Sequence, residues 1–429
     1  MLDIELFRTN LQKIIESETK RFKDPSNAEK THEFDKKWRD TFTQEQSLNQ
    51  KRNELNKQIS QFKKNGENKK FEAAKTESSE LKKKVEDLKK QREEFEKKRD
   101  EYRYIVGNLL HESVPSGETE EQNETVRKFG TVPKFDFTPL SHVDLIAEID
   151  GADTKKASEV VGSRFYYLKG DLVLLNLALL NFALEKLTSK NYIPMWTPFF
   201  LKHEIMKAAA ELADFEEQLY KLQDEDLFMI ATSEQTLAAY HYNEIIDPDR
   251  LPLKYAGISS CFRRELGSHG RDTLGIFRVH RFEKVEQFIF CKPEDSWIYH
   301  EELMSNSEEL YKDLNLPYRI VNIASGELND NASKKYDLEA WFPASETYRE
   351  LVSCSNCLDY QARKLKIRMG TVGAKKNKEI LHTLNSTGIA TARTLCCILE
   401  NYQNNDHSIS IPKVLHKYMN GKKIIKPIK

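Results

Sequence analysis

From about residue 34 to residue 104, apolar and small side chains recur at alternating steps of three and four. The second half of this stretch reads Phe71, Ala74, Ser78, Leu81, Val85, Leu88, then Phe95 and Tyr102, with Arg92 and Arg99 at the intervening positions. Leu48, Leu55, Ile59 and Phe62 echo the repeat in the first half. A repeat of 3.5 residues is the seam of a coiled coil. Glycine is nearly missing here and proline is absent, while Lys, Glu and Gln dominate. The run Lys63-Lys64-Asn65-Gly66-Glu67-Asn68 breaks both the pattern and the helix. Two helices folding back antiparallel as a hairpin are therefore predicted.

Beyond a polar, turn-rich stretch at 114–125 the periodicity changes. Helical patterns at 172–187 and 301–314 alternate with short β-rich runs at 228–230, 288–290 and 318–321. That alternation fits a parallel α/β fold or an antiparallel sheet flanked by helices, and the pattern alone does not choose. Neither Gly-x-Gly-x-x-Gly nor a lysine-bearing P-loop occurs, which weighs against the common nucleotide-binding folds. The organisation read from the chain is an N-terminal domain at 1–113 with its hairpin at about 34–104, a linker at 114–125 and a second domain at 126–429.

Charge changes the picture for the hairpin. The chain has 429 residues, 31% of them charged, yet its net charge is −1, so contact with nucleic acid must come from local patches. Residues 51–105 carry 18 Lys and Arg against 12 Asp and Glu, a net +6. Most such charge runs are solvated surface. Lys63, Lys64, Lys69 and Lys70 crowd the turn, however, and suit a phosphate backbone bound in a salt-dependent way. The opening Met1-Leu2-Asp3-Ile4-Glu5 has neither a signal core nor an Arg-rich presequence, and the best apolar run, 172–180, is interrupted by Asn176. A soluble, cytoplasmic protein is expected. Of six cysteines only Cys354 and Cys357 have metal-like spacing, and no second ligand pair accompanies them, so no zinc is expected.

The candidate chemistry lies at 261–286 and 384–393. Phe262-Arg263-Arg264-Glu265 leads into a polar segment with Gly267, Gly270 and Gly275, then Phe277-Arg278-Val279-His280-Arg281-Phe282 and Glu286. A glycine-bearing loop between strand-like segments reads as a hairpin. Arginine at its mouth either makes ordinary surface ion pairs or forks onto phosphate or carboxylate oxygens. The later stretch reads Leu384-Asn385-Ser386-Thr387-Gly388-Ile389-Ala390-Thr391-Ala392-Arg393.

Together these two stretches resemble motifs 2 and 3 of class II aminoacyl-tRNA synthetases, and their flanks resemble the seryl family within that class. The resemblance implies an α+β fold, with an N-terminal two-helix coiled-coil arm in front of an antiparallel sheet flanked by helices. It implies an ATP-dependent ligase that makes seryl-adenylate and passes the seryl group to tRNA(Ser), gripped by the arm. Arg263 and Arg393 are then the catalytic pair. ATP binding falls to Arg263, Arg264, Glu265, Val279, His280, Arg281, Phe282, Glu350, Leu351, Val352, Ser353 and Arg393, with Glu265 on the adenine amino group and Phe282 and Arg393 on its two faces. Thr232, Ser233, Glu234, Arg263, Glu286, Asn385 and Thr387 are implied to bind L-serine, with Glu234 on its ammonium. Glu350 and Ser353 are implied to hold Mg²⁺ with ATP, hard oxygen donors suited to that ion. The run from Cys354 through Asp359, Tyr360, Gln361 and Arg363 is also of the seryl type and accounts for the cysteine pair without zinc. Tyr192-Ile193-Pro194-Met195-Trp196-Thr197-Pro198 resembles motif 1, which implies a homodimer. Residues 3–7 and Lys20-Arg21-Phe22-Lys23-Asp24-Pro25 look like the eukaryotic-type enzymes.

Two departures stand beside this. Where the family commonly reads Val-His-Gln-Phe this chain has Arg281, which either adds a positive charge beside the nucleotide site or points away, the arrangement that strand alternation opposite His280 and Phe282 favours. The basic ending, 421–429, reads as a solvated tail, with contact to RNA or to a partner subunit as its alternative. Two competitors differ in class. A synthetase-like ligase loading a carrier other than tRNA would share Arg263, Glu286 and Arg393 but has no use for a basic arm. A catalytically dead RNA-binding protein predicts broken motifs, and here they are intact.

Overall fold

The structure is a computed structural model and describes residues 1–209, 216–265, 274–370 and 379–428. Gly267 and Gly270 of the expected hairpin loop lie outside the described residues. The chain divides into two compact units, Met1–Leu109 and Leu110–Lys429.

In the first unit, short helices α1 (Ile4–Thr9) and α2 (Leu11–Lys20) precede α3 (Ser26–Lys64) and α4 (Asn68–Ile105). The long pair is antiparallel: Phe34 stacks on Tyr102 at 5.7 Å, Arg92 donates to Glu45 at 2.7 Å, and Ser78 donates to Asn56 at 2.7 Å. Ala74 and Val85 of the predicted seam are buried. Arg99, also on the seam, is buried as well, its guanidinium 3.8 Å from the fully buried Asp35. Asp35 in turn accepts from Arg8 at 2.8 Å and Arg39 at 2.9 Å, which is how a carboxylate survives inside a coiled coil. At the turn, Gly66 takes φ +72°, and the Glu67 N–H reaches back to the Phe62 carbonyl at 3.0 Å. A left-handed residue followed by that six-to-one bond terminates a helix, and glycine adopts it without strain.

The second unit is built on an eight-stranded sheet. Its strands are β1 (Glu124–Phe129), β2 (Ile193–Trp196), β3 (Leu253–Phe262), β4 (Arg281–Cys291), β5 (Tyr318–Asn322), β6 (Lys334–Phe342), β7 (Thr347–Asn356) and β8 (His382–Ala390). They lie in the order β1-β5-β6-β7-β8-β4-β3-β2. Every neighbouring pair is antiparallel except β2 with β3 at the edge. Helices α5 (Gly170–Thr188), α7 (Ser296–Asp313) and α9 (Thr391–Asn401) share the main core with the sheet. The shorter α6 (Ser233–Ala239) and the segment just after α8 (Tyr360–Lys364) join a second core with β3 and β4. Strand β4 shows why both exist. Val285, Ile289 and Cys291 enter the main core, whereas Phe288 and Phe290 enter the second, as a period of two requires.

Two irregularities decide which side chains come to face one another. Between β6 and β7 the register slips at Leu351, so that Ser353 opposes Asp337 and Glu350 opposes Glu339. Between β8 and β4 it slips at Gly388, where an added Cβ would stand 3.2 Å from the Val285 carbonyl oxygen. Strands β7 and β8 pair only over Cys354–Asn356 and Leu384–Ser386 and then part.

Elsewhere, the polar stretch at 114–125 is bonded into the second unit: Val114 is buried with Val321, Ile323 and Leu328. The basic ending is not a solvated tail. Ile424–Ile425 pairs with Ile409–Ser410, Ile425 is buried, and the Ile428 N–H donates to the Glu148 carbonyl. Ile425 is the anchor that the lysine count concealed. Among the described residues no helix is long and apolar enough to cross a membrane.

Candidate active site

A cleft opens where β7 and β8 part, lined among others by Thr232, Glu234, Arg263, Lys284, Glu286, Glu350, Ser353, Asn385 and Thr387. It continues into a second recess of about 480 Å³ that shares Arg263, Lys284, Glu350 and Thr387 and adds Glu265, Val279, Phe282, Leu351 and Arg393. Residues far apart in sequence thus meet in one place.

Each side chain is delivered by its strand or cap. Thr232 caps α6, its hydroxyl accepting from the Glu234 N–H at 3.3 Å, so that Glu234 sits in the first turn. Thr387 lies directly across from Glu286, and Asn385 lies on the same face of β8 two residues earlier. Phe282, Lys284 and Glu286 occupy one face of β4, and Lys284 donates to Thr232 Oγ1 at 2.8 Å while standing 2.5 Å from the Glu286 carboxylate. Glu234 accepts from Gln361 at 2.9 Å and from Asn385 at 3.1 Å.

Burial pushes the Glu286 carboxyl up to about 7; Lys284 pulls against that shift and Glu234 adds to it. Glu234 is likewise raised by burial, against Lys284, Gln361 and Arg263. Two carboxylates sharing one ammonium in a dry pocket leave room for a further positive charge.

Arg263 is held from behind. Its N–H donates to the His280 carbonyl at 3.0 Å, His280 Nδ1 returns a bond to the Arg263 carbonyl at 2.7 Å, and its own Nε donates to the Ala231 carbonyl at 3.2 Å. The guanidinium lies 5.2 Å from the centre of the Phe282 ring. Arg393 donates to the carbonyl and the carboxylate of Glu350 at 3.0 and 3.1 Å and lies 5.3 Å from the Phe277 ring rather than over Phe282. Desolvation in the cleft pushes Glu350 up, but Arg393 and then Lys335 more than reverse it, holding it at about 2. Its neighbour Asp337 goes the other way, pushed by burial up to about 7 although Lys335 opposes this.

Not every expected residue reaches the cleft. Ser233 and Val352 are buried away from it, and Arg264 contributes a backbone bond to the Gln218 carbonyl. Arg281 lies on the far face of β4, bonded to Glu283 at 2.5 Å, as alternation requires. Cys354 and Cys357 point to different partners: Cys354 to the His300 carbonyl, Cys357 to the Asn385 amide. Among the described residues no cluster of three His, Cys, Asp or Glu side chains could hold a metal ion.

Sequence reasoning missed Lys284 and Gln361. The signal for Lys284 was present, since it lies two residues from both Phe282 and Glu286 and a strand must put all three on one face. Nothing in the spacing reveals Gln361, whose contact spans 127 positions.

An antiparallel sheet with arginines at 263 and 393 over a carboxylate-lined cleft defines the class II aminoacyl-tRNA synthetase core, and comparison with known proteins agrees. Residues 218–402 match the family model described as the tRNA synthetase class II core domain (G, H, P, S and T), and residues 1–110 match the seryl-tRNA synthetase N-terminal domain. A serine–tRNA ligase of Methanosphaera stadtmanae is 57% identical over 425 residues, 99% of each chain, and one of Helianthus annuus is 49% identical over 98% of each. The crystal structure of seryl-tRNA synthetase from Pyrococcus horikoshii complexed with ATP superposes with a TM-score of 0.96 at 40% identity, covering both chains completely. The chain belongs to the seryl-tRNA synthetase family. The expected leaning towards the eukaryotic type is not singled out, because archaeal and plant relatives both match along the whole length.

Proposed function

We propose that the chain activates L-serine with ATP to give seryl-adenylate and pyrophosphate, and then transfers the seryl group to the 3′ end of tRNA(Ser). The observation that carries this reading is the joining of two recesses, one lined by Glu234, Lys284 and Glu286, the other by Glu265, Phe282 and Arg393, with Arg263 common to both. Glu234 and Glu286 take the serine ammonium, and Asn385, Thr387 and Thr232 surround its side chain. Arg263, reaching both recesses, neutralises the reacting carboxylate and α-phosphate. Phe282 and Glu265 hold adenine, and Arg393 balances charge on the departing pyrophosphate. No nucleophilic side chain is needed, because positioning and charge neutralisation suffice.

Glu350 and Ser353 fit a magnesium ion: the slip at Leu351 turns both to one face, with Asp337 across from Ser353, and all offer hard oxygens. Bound there, the ion would supply charge neutralisation to the phosphates of ATP. The arm, with Lys63, Lys64, Lys69 and Lys70 exposed at its tip, holds the tRNA. Exposed apolar side chains at the β2 edge support a homodimer formed there. Trp196 is 78% and Ile193 53% exposed, with Leu174 and Leu177 of α5 also exposed, and a patch of that kind marks an interface. The same reading puts the reaction in the cytoplasm.

The test is amino-acid-dependent ATP–pyrophosphate exchange without tRNA, comparing serine, threonine, alanine and cysteine. Exchange with serine alone is expected; a site that bonds a substrate hydroxyl disfavours its absence by about 10⁴-fold. Equal exchange with alanine overturns the pocket assignment.

A further inference from the structure

Gln361 is buried and does not line the cleft, yet it is bonded on both sides. Its Nε2 donates to Glu234 Oε1 at 2.9 Å, and its Oε1 accepts from the Thr383 hydroxyl at 2.9 Å. Thr383 lies on β8 in the same row as Asn385 and Thr387, and the Asn385 amide donates to the same Glu234 oxygen at 3.1 Å. Both amides therefore converge on Oε1 and leave Oε2 without a hydrogen-bond partner among the described residues, in a side chain that lines the cleft. The loop before α8 is pinned to β8 by the Cys357 N–H on the Thr383 carbonyl at 3.0 Å and the Thr383 N–H on the Leu358 carbonyl at 2.9 Å. Gln361 is thus held close to Thr383 by backbone bonds, and Glu234 is tied to both Gln361 and Asn385 by side-chain bonds. The Glu234 carboxylate fixes which way the amide faces, because the flipped amide would present its oxygen to an acceptor; the Thr383 hydroxyl then donates to the amide oxygen.

We propose that Gln361 is a positioning residue for serine binding: anchored by Thr383, its amide holds Glu234 oriented and charged, with its second oxygen turned to the substrate ammonium. This rests on the assignment of Glu234 to the serine ammonium. A hydrogen bond made to the charged form of a buried acid favours that form, so its loss favours the neutral one. The charged groups facing Glu234 are Lys284 and Glu286 from β4 and Arg263 at the end of β3. None of them replaces a donor to Oε1.

The experiment is ATP–pyrophosphate exchange on the full chain, with KM for serine and for ATP measured between about pH 6 and about pH 9, a span that includes the value of about 7 to which Glu286 is raised. Glu234→Gln, Gln361→Met and Thr383→Val are compared with the unaltered protein. Expected for Gln361→Met is a serine KM raised about tenfold near neutral pH with the ATP KM unchanged, the size of one bond to a charged group. The deficit relative to the unaltered protein should grow as pH falls and shrink as it rises. A merely structural role would give a loss independent of pH and shared with ATP, and that result overturns the proposal. Thr383→Val should shift the serine KM in the same direction by less, and it carries the test should Gln361→Met fail to fold. If Glu234→Gln raises the serine KM but neither Gln361→Met nor Thr383→Val does, Glu234 keeps its role and the proposal falls. If Glu234→Gln leaves the serine KM unchanged, the reading of Glu234 itself is wrong and the proposal goes with it.

Discussion

At the tip of the arm, Lys63, Lys64, Lys69 and Lys70 stand exposed, and among the described residues only Lys70 has a close ionic partner, Glu67 at 2.6 Å. In the cleft, Glu234, Lys284, Glu286 and Arg263 are gathered around one recess, with Lys284 and Glu286 almost wholly buried. The same ion types do different work in the two places. Exposed charge acts through a field that salt screens within about 10 Å, and one lysine substitutes for another. Buried charge acts at contact, where each group is fixed by its neighbours and none is spare.

The sharpest way to break this comparison is at the two arginines. Arg263→Ala or Arg393→Ala should lower ATP–pyrophosphate exchange by at least about 10²-fold, the usual loss when a donor to developing charge is removed; near-normal exchange in either would refute their roles. Replacing the four tip lysines by alanine should leave that exchange unchanged. Serylation at limiting tRNA should fall about tenfold, and the log–log salt dependence of tRNA binding should flatten by about three. An unchanged salt slope would move the RNA contact elsewhere. A smaller effect separates the regions by pH. Glu286 must be ionised to meet an ammonium, so serine affinity should be full above about 7 and fall as pH drops through that value, by up to about tenfold near pH 6. Glu286→Gln should abolish that limb, and persistence of the limb would assign it to another group. Least of all, Arg281→Ala should change exchange by less than about twofold, because an exposed pair with Glu283 is worth little.

Much of this was legible in the chain. The seam residues of the arm, Arg263, Glu286 and Arg393 follow from period, motif and order. Lys284 was legible by alternation alone, once β4 was taken as a strand. Other features depend on tertiary placement. Gln361 acquires a partner only when α8 is laid against β8, and the ending at 421–429 is ordered by a strand that pairs with it. The third case is Glu350 and Ser353, whose spacing of three belongs to opposite faces of a regular strand.

The slip at Leu351 is what reconciles that spacing with a shared face, and it carries a consequence for anyone editing this protein. A chain one residue shorter at this point would make a more regular ladder. It would leave the carboxylate and the hydroxyl on one face, now two positions apart, but it would take away Leu351, which is buried in the main core and lines the recess beside Arg393. The irregularity works as an inserted letter: the words on either side read the same without it, but the wall of the cleft loses one apolar side chain.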